Sequence, residues 1–273
     1  MRVPSAWSSA RRAPEPLGSE LFPPAEHQKK VSDGKERWAV SCGCLILVKE
    51  AVIFAGNYGS GKTELALNTA LEFAKRGSTV LCDIDIVNPY FRSAEHRTML
   101  EKAGVRLVAP PAATTMVDIP ALPPEVMAAF EADYAVFDVG GDSVGATALG
   151  AYREAFSKIR PEVQFLFVVN ARRPLQRTAR DVTELMQQIE SCAGLRVDAL
   201  VNNTNVGRDT NSEDLAYGRE VCAEVSARTG VPVAFSSGVK DVVDGYSREN
   251  PDEPVHVLKI YTRPEWLDAT AQD

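Results

Sequence analysis

A glycine-rich octapeptide that ends in lysine and threonine is the feature of this sequence best suited to chemistry. It reads Gly56-Asn57-Tyr58-Gly59-Ser60-Gly61-Lys62-Thr63 and matches the pattern G-x-x-x-x-G-K-[ST]. Its glycines allow backbone N–H groups to face phosphate oxygens, and the positive end of a following helix adds to that attraction. We expect Lys62 to reach the β- and γ-phosphates of a nucleotide and the Thr63 hydroxyl to bind Mg²⁺. Glu64, the next residue, is included in the predicted nucleotide-binding set.

Two acidic segments supply candidate partners for a metal ion and for an attacking water. Asp83 and Asp85 follow one apolar run, and Asp138 follows another, three residues before Gly141. Asp138 is expected to hold Mg²⁺ through a water, and the Gly141 amide is expected to meet the γ-phosphate and move after hydrolysis. Asp85, further along its strand than Asp83, is the favoured water-positioning residue. Ordinary turn carboxylates are the alternative for both segments.

The elements that must position these residues alternate along the chain. Short apolar runs predict buried strands at Val52–Ala55, Thr79–Cys82, Val105–Ala109, Tyr134–Phe137, Phe165–Val169, Leu195–Val201 and Val231–Phe235, the last central strand. Helical spacing predicts helices from Thr63 to a cap at Gly77, at Ser93–Lys102, at Glu125–Glu131, along the stripe Val182, Leu185, Met186 and Ile189, and at Leu215–Arg228 before Gly230. Continuous apolar strands indicate a sheet covered on both faces. The sequence therefore predicts a doubly wound, mostly parallel α/β domain of the P-loop NTPase type.

A candidate base-binding residue follows the predicted strand that ends near residue 201. Asn203 offers both a donor and an acceptor, which suits the edge of adenine. Guanine-specific proteins use Asn-Lys-x-Asp, whose aspartate takes two guanine N–H bonds. Three residues after Asn202 and Asn203 stand Asn205 and Val206, so ATP is favoured over GTP. The segment Ser236-Ser237-Gly238 is a weaker candidate for packing on the base.

The order of these motifs resembles that of the MinD/ParA/Mrp/ArsA group of P-loop ATPases, over about residues 45–238. The chain looks most similar to a poorly characterised CobQ/CobB/MinD/ParA-type subgroup with the same phosphate loop. This resemblance implies that Asp85 positions water and that Thr63 and Asp138 serve the magnesium ion. The chain departs from the group at Asn57. Members of the group have at this position a signature lysine that reaches across a dimer to the nucleotide of the partner. A homodimer is therefore possible, but the resemblance does not imply a lysine acting in trans.

Composition limits the partners. The chain has 273 residues and a formal net charge of −7, so bulk nucleic acid is not expected as a partner. No apolar run of about 18 residues occurs, and no membrane anchor is expected. Five cysteines without a C-x-x-C spacing are typical of reduced thiols in a cytoplasmic protein. A cluster of Arg172, Arg173, Arg177 and Arg180 is interpreted as solvated helix surface rather than a nucleic-acid site.

The ends of the chain differ from its middle. Residues 1–40 are rich in proline and charge and poor in aliphatic residues, which predicts a disordered extension. An over-long gene start and a targeting peptide are the alternatives. Residues 45–273 form the predicted nucleotide-binding domain with a short C-terminal tail.

These features favour a Mg²⁺-dependent ATPase that acts as a nucleotide switch on an unidentified client protein. Lys62, Asp85 and Gly141 are its expected catalytic residues. One rival is an ATP-dependent kinase or ligase of the dethiobiotin-synthetase or cobyrinate-synthase type. It is suggested by the long stretch Pro110–Pro124 and by Arg92 and Arg97, which could grip an anionic substrate. A non-hydrolysing nucleotide-binding regulator is the third class.

Overall fold

The computed structural model describes residues 51–84, 96–109, 124–158 and 162–262. The predicted disordered extension (residues 1–40), Asp85, Arg92, residues 110–123 and the last residues of the predicted tail, 263–273, lie outside the described residues.

Within the described ranges the strands form one eight-stranded parallel sheet of order β3-β2-β4-β1-β5-β6-β7-β8. Their bounds are Ala51–Gly56 (β1), Thr79–Ile84 (β2), Val105–Val108 (β3), Tyr134–Val139 (β4), Val163–Val169 (β5), Ala199–Asn202 (β6), Val233–Gly238 (β7) and Val255–Val257 (β8). The strand before the phosphate loop, β1, is central and pairs with β4 on one side and β5 on the other. The predicted α/β architecture is confirmed.

The helices lie between successive strands. The α-helices are Lys62–Phe73 (α1), Arg97–Lys102 (α2), Ser143–Gly150 (α3), Arg153–Lys158 (α4), Ala179–Ala193 (α5), Ser212–Thr229 (α6) and Lys240–Glu249 (α7), with 3₁₀ turns at Pro124–Glu131 and Gly207–Asp209. Helix α6 begins with a capping box between Asn211 and Asp214, and it ends at Gly230 in the left-handed conformation, as predicted. These caps satisfy backbone groups that a helix terminus otherwise leaves unpaired.

The core is a continuous apolar layer on both sides of the sheet. Every residue of β1 is buried, and so is the whole of β2. Phe137, Phe156 and Phe165 are fully buried, and the rings of Phe137 and Phe156 meet edge to face at a centroid distance of 5.0 Å. Burial raises the pKa of the thiols of Cys82 and Cys222 to about 12, so both stay protonated and unreactive at neutral pH.

Three predicted boundaries are wrong. Helix α1 ends at Phe73 rather than near Gly77, whose N–H closes a last turn on the Phe73 carbonyl. Strand β6 begins only at Ala199. The preceding residues are anchored by side chains, because the Glu190 carboxylate accepts from the Val197 N–H. The strand predicted at Val231–Phe235 runs over Val233–Gly238 and is the last central one, with β8 pairing beside it as the edge strand.

A glycine inside α6 shows how tightly this helix fits the end of β6. A Cβ at Gly218 would lie 2.0 Å from Thr204 Oγ1 and 2.2 Å from Asn202 Oδ1. Both polar atoms are fully buried, so neither can withdraw into solvent. Gly245 in α7 offers a matched comparison, because a Cβ there would lie at an ordinary 3.4 Å from Ser212.

We expect Gly218→Ala to lower the free energy of unfolding by about 3 kcal/mol or more, because the new methyl group would overlap the buried side-chain oxygens of Thr204 and Asn202. Gly245→Ala should be neutral or stabilise by up to about 1 kcal/mol, because alanine is the better helix former. Urea denaturation of the two variants beside the wild type measures both changes. Equal stabilities of the two variants would contradict the close approach of α6 to β6.

Candidate functional site

The phosphate loop connects β1 to α1 in a conformation that its glycines alone permit. Gly56, Gly59 and Gly61 have φ of 145°, 70° and 91°. A Cβ at Gly56 would lie 2.3 Å from the Val168 carbonyl oxygen, and one at Gly61 would lie 2.1 Å from the Asn203 amide nitrogen. Helix α1 begins at Lys62, directly after the last of these glycines. Backbone N–H groups and the helix N-terminus therefore converge on one short segment.

Lys62 is held against this loop. Its side chain is buried, and its Nζ donates to the Asn57 carbonyl at 3.0 Å. This buried ammonium group and the N-terminus of α1 are two positive features beside one loop. The arrangement suits a polyanion.

Two buried aspartates lie side by side next to the loop. Asp83 in β2 and Asp138 in β4 are register partners, and Asp138 is also the partner of Phe54 in β1. Their exposed fractions are 8% and 2%. Neighbouring carboxylates repel each other when ionised, and a divalent cation removes that repulsion. Asp83 thus lies beside Asp138, the predicted metal residue, whereas Asp85 lies outside the described residues.

Gly141 packs directly on the phosphate loop. A Cβ at this position would lie 2.5 Å from the Tyr58 nitrogen and 2.9 Å from the Asn57 carbonyl carbon. The next residue, Asp142, caps α3 by accepting from the Val144 and Gly145 N–H groups at 3.1 and 2.9 Å. The segment after β4 therefore packs on the first half of the loop.

Asn203 has a different set of contacts from the one predicted. Its Nδ2 donates to the Ser60 carbonyl at 2.7 Å, and its Oδ1 accepts from the Ser237 hydroxyl at 3.0 Å. A carbonyl oxygen can only accept, so the Ser60 contact fixes which way the amide points. Both ends of the amide thus have protein partners, which revises the predicted two-point contact with adenine. The second N–H of this amide makes no hydrogen bond within the described residues, and Asn203 is 4% exposed.

The predicted base-packing segment braces the asparagines instead. Ser236 and Ser237 are each 1% exposed. The Ser236 hydroxyl accepts from Asn202 Nδ2 at 2.9 Å, just as the Ser237 hydroxyl bonds to Asn203. Gly238 uses its carbonyl to accept from the Leu258 N–H at 2.7 Å. The hydroxyl groups thus fix the end of β6 rather than offer a surface for a base.

The side chain of Glu64 does not point to the phosphate site, contrary to the prediction. Its carboxylate accepts from the Tyr261 N–H, from the Thr262 N–H at 3.2 Å and from the Thr262 hydroxyl at 2.6 Å. One turn further, Asn68 exchanges hydrogen bonds of 2.8 and 2.9 Å with the backbone of Lys259. These contacts dock the segment that follows β8 along α1.

Three of the four clustered arginines have different environments. Arg172 pairs with Asp214 at 2.8 Å and lies over the Tyr217 ring, and Arg180 pairs with Glu184 at 2.8 Å. Arg180, in α5, matches the predicted helix surface, whereas Arg172 lies exposed in the loop after β5. Arg173 instead donates from Nε to the Gly59 carbonyl at 3.1 Å, so it contacts the phosphate loop. The sequence carried no signal for this contact, because it joins residues 114 positions apart.

The loop after β5 is hydrogen-bonded to the phosphate loop and to the loop after β6. Asn57 Nδ2 donates to the Pro174 carbonyl at 2.9 Å, which ties the phosphate loop to this segment. Asn170, fully buried, donates from Nδ2 to the Asn205 carbonyl at 3.1 Å. The loops after β5 and β6 therefore form one hydrogen-bonded unit with the phosphate loop.

No protein-family model matches the sequence, and no curated protein matches it. The fold is similar to solved structures of the signal recognition particle receptor FtsY from Elizabethkingia anophelis (19% identity over 72% of this chain and 61% of that one, TM-score 0.44). It is also similar to cell division protein FtsY from Thermotoga maritima (18%, 72% and 63%, TM-score 0.45). A third is the 54 kDa signal recognition particle protein from Aeropyrum pernix K1 in complex with GDP (16%, 81% and 52%, TM-score 0.43). The chain thus spans less than two thirds of each of these structures.

The fold is established by the strand order and the loop of this chain rather than by similarity at this level. The parallel sheet, the central strand β1 and the loop leading into α1 give the chain the α/β fold of P-loop nucleotide triphosphatases. Among the helices of the described ranges, none has the length and apolar character needed to cross a membrane.

Proposed function

We propose that this protein is a Mg²⁺-dependent ATPase of the MinD/ParA/Mrp type, and that it acts as a nucleotide switch on a client protein. The observation that carries the proposal is the burial of Lys62 against the phosphate loop, with Asp138 buried at the end of the adjoining strand. A cation for phosphates and a carboxylate for a metal thus flank one loop. Nucleoside triphosphate hydrolysis needs both groups.

In the proposed reaction, Lys62 and the loop amides hold the β- and γ-phosphates, and Thr63 and Asp138 serve the Mg²⁺ ion, Asp138 through a water. Within the described ranges no three carboxylate, histidine or cysteine side chains form a metal-binding group. Phosphate oxygens and waters would therefore complete the coordination, which is the usual arrangement for Mg²⁺. Asp85 would orient the attacking water, and the Gly141 amide would meet the γ-phosphate.

Asn57 occupies the position at which the resembled group carries its signature lysine. Its side chain donates to the Pro174 carbonyl at 2.9 Å and accepts from the Tyr58 N–H at 2.8 Å. Both ends of the amide are thus used within the chain. The proposal therefore includes no activating residue in trans, although a homodimer formed through another surface is compatible with it.

The proposal places the protein in the cytoplasm with reduced thiols. Cys82, Cys192 and Cys222 are free cysteines in the described part of the chain. The rival small-molecule enzyme has less support, since Arg97, one of its two candidate substrate arginines, pairs with Glu101 at 3.8 Å. ATP hydrolysis without any added metabolite would distinguish the switch from that rival, which needs its substrate for turnover.

Lys62→Ala should weaken ATP binding by about 100-fold or more, because two charge-assisted hydrogen bonds to phosphate are lost. Lys75→Ala is the matched control, since Lys75 lies just beyond the same helix and is exposed and paired with Glu72 at 2.5 Å. Isothermal titration with ATP and Mg²⁺ measures both affinities. Wild-type affinity in the Lys62 variant would show that the loop does not bind phosphate through this residue.

Asp85→Ala should retain ATP affinity within about threefold and lose about 100-fold or more in turnover, since only the group that orients the water is removed. Asp83→Asn is measured in parallel, because Asp83 lies beside Asp138, the proposed metal residue. Phosphate release and nucleotide binding are followed for both. If Asp83→Asn alone keeps binding and loses turnover, the water-positioning role moves from Asp85 to Asp83.

The proposed preference for ATP rests on the residue three positions after Asn203. Val206 stands there, half exposed and without a carboxylate for the guanine N–H groups. The remaining N–H of Asn203 suits N7, which is an acceptor in both purines, so this residue favours purines without distinguishing them.

We expect at least about fivefold tighter binding of ATP than of GTP, from unsatisfied guanine donors that cost about 1–3 kcal/mol. Val206→Asp should raise the affinity for GTP relative to the affinity for ATP. Val206→Asn should not, because asparagine has the size of aspartate but no charge. Asn203→Ala should weaken both nucleotides alike. Competition against a fluorescent nucleotide gives all these ratios, and a wild-type preference for GTP would reverse the assignment.

A further inference from the structure

Arg173 is presented to the phosphate loop by an unusually well-fixed segment. The loop after β5 makes two successive turns, with the Arg173 N–H donating to the Asn170 carbonyl at 3.0 Å and the Gln176 N–H donating to the Arg173 carbonyl at 3.3 Å. Gln176 is fully buried, and its Oε1 accepts from the Asn170 N–H at 2.9 Å. The backbone on both sides of Arg173 is therefore fixed, although the side chain itself is exposed.

The same segment contains a strained residue. Leu175 has a φ of 63° and is the one non-glycine residue of the described ranges with a positive φ, and 73% of its surface is exposed. A left-handed conformation costs a leucine roughly 1–2 kcal/mol, and it persists only where surrounding contacts impose it. No gain in apolar burial accounts for this conformation. This left-handed residue lies two positions after Arg173, in the same hydrogen-bonded turn.

The position of Arg173 along the phosphate loop follows from the sheet order. Asp83 and Asp138 end β2 and β4 on one side of β1, and Gly141 contacts the loop on that side at Tyr58. On the other side are β5 and β6, with Asn203 at Ser60. A nucleotide bound across β1 would have its metal and terminal phosphate on the β4 side and its nucleoside on the β6 side.

The Arg173 guanidinium lies on the nucleoside side. It bonds to the Gly59 carbonyl, and Asn170 joins its loop to the loop after β6 through bonds of 3.1 and 3.2 Å to the backbone of Asn205. The residue after Asn203 cannot serve as a wall here. Thr204 is short and fully buried, and its hydroxyl accepts from the Ala171 N–H at 3.1 Å.

We propose that Arg173 forms one wall of the nucleoside pocket and stacks its guanidinium plane on the base, an inference that rests on the proposed nucleotide binding. The planar, weakly hydrated guanidinium stacks well on aromatic faces, and the Nε bond to Gly59 limits its rotation. Every base has a π-face, so the contact adds affinity for nucleotides without choosing among them. Arg173 therefore recognises the base, whereas Lys62 recognises the phosphates.

The test compares ligands with and without a nucleoside. Affinities of ATP, ADP and inorganic tripolyphosphate are measured by competition against a fluorescent nucleotide, for the full chain and for Arg173→Ala. We expect the variant to lose about 3- to 30-fold in affinity for ATP and ADP alike, and to bind tripolyphosphate as the wild type does. Arg173→Lys should remain weak, because an ammonium group is a point charge that stacks poorly.

Arg177→Ala is the matched control. Arg177 carries the same charge in the same loop, and its contact there is made by its backbone carbonyl, which accepts from the Tyr217 hydroxyl at 3.1 Å. This variant should bind all three ligands normally. An equal loss of tripolyphosphate affinity in Arg173→Ala would overturn the proposal in favour of a phosphate contact or a structural brace. Unchanged ATP affinity in that variant would overturn it too. A wild-type chain that binds none of the three ligands would instead refute the proposed function.

Discussion

The backbone of the phosphate loop is approached so closely by its neighbours that no side chain fits between them, and the rest of the site depends on this constraint. Gly56 lies against the Val168 carbonyl of β5, Gly61 against the Asn203 amide, and Gly141 against the Tyr58 nitrogen. Each contact would place a Cβ within about 2.5 Å of a neighbouring atom. The loop is therefore held from three directions, and its amides keep one orientation before any ligand arrives. Preorganisation of this kind avoids the cost of ordering a loop on binding.

Buried polar groups maintain that constraint. Asn202, Asn203 and Asn170 lie at the ends of neighbouring strands, and each donates its side-chain amide to a backbone carbonyl. Buried amides are costly when unpaired and stiffening when fully satisfied, because hydrogen bonds strengthen in a medium of low dielectric. The network replaces apolar packing at the one edge of the sheet where a charged ligand would have to enter. The same network leaves no room for a side chain at position 218 of α6, because Gly218 lies against Asn202 and Thr204.

The sequence predicted the parts of this arrangement that depend on local patterns. Apolar runs marked the strands, and the spacing of glycines, Lys62 and Thr63 marked the loop, because neighbouring residues determine both. The direct pairing of Asp138 with β1 depends on strand order, and the docking of the segment after β8 on α1 depends on contacts between residues far apart in sequence. Glu64 and Thr262 are separated by 198 residues, and a buried carboxylate in a first helical turn gives no indication of its partner. Arg173 was grouped with its neighbours for the same reason, since charge alone does not distinguish an ion pair from a loop contact.

The described contacts with the phosphate loop differ in kind between the two halves of the site. On the β5–β6 side, side-chain and backbone hydrogen bonds cross-link the loops after both strands to the phosphate loop. On the β4 side, the described contact of Gly141 with the loop is one of close packing, and Asp142 caps the short helix α3 that follows. In the proposed switch, release of a terminal phosphate would act on the β4 side, where Gly141 packs on the loop. The nucleoside would meanwhile stay in a rigid pocket, so that a bound diphosphate could persist while the segment after β4 and helix α3 change position. A client protein that binds the segment after β4 and helix α3 would then distinguish the triphosphate state from the diphosphate state, while the nucleotide stays bound.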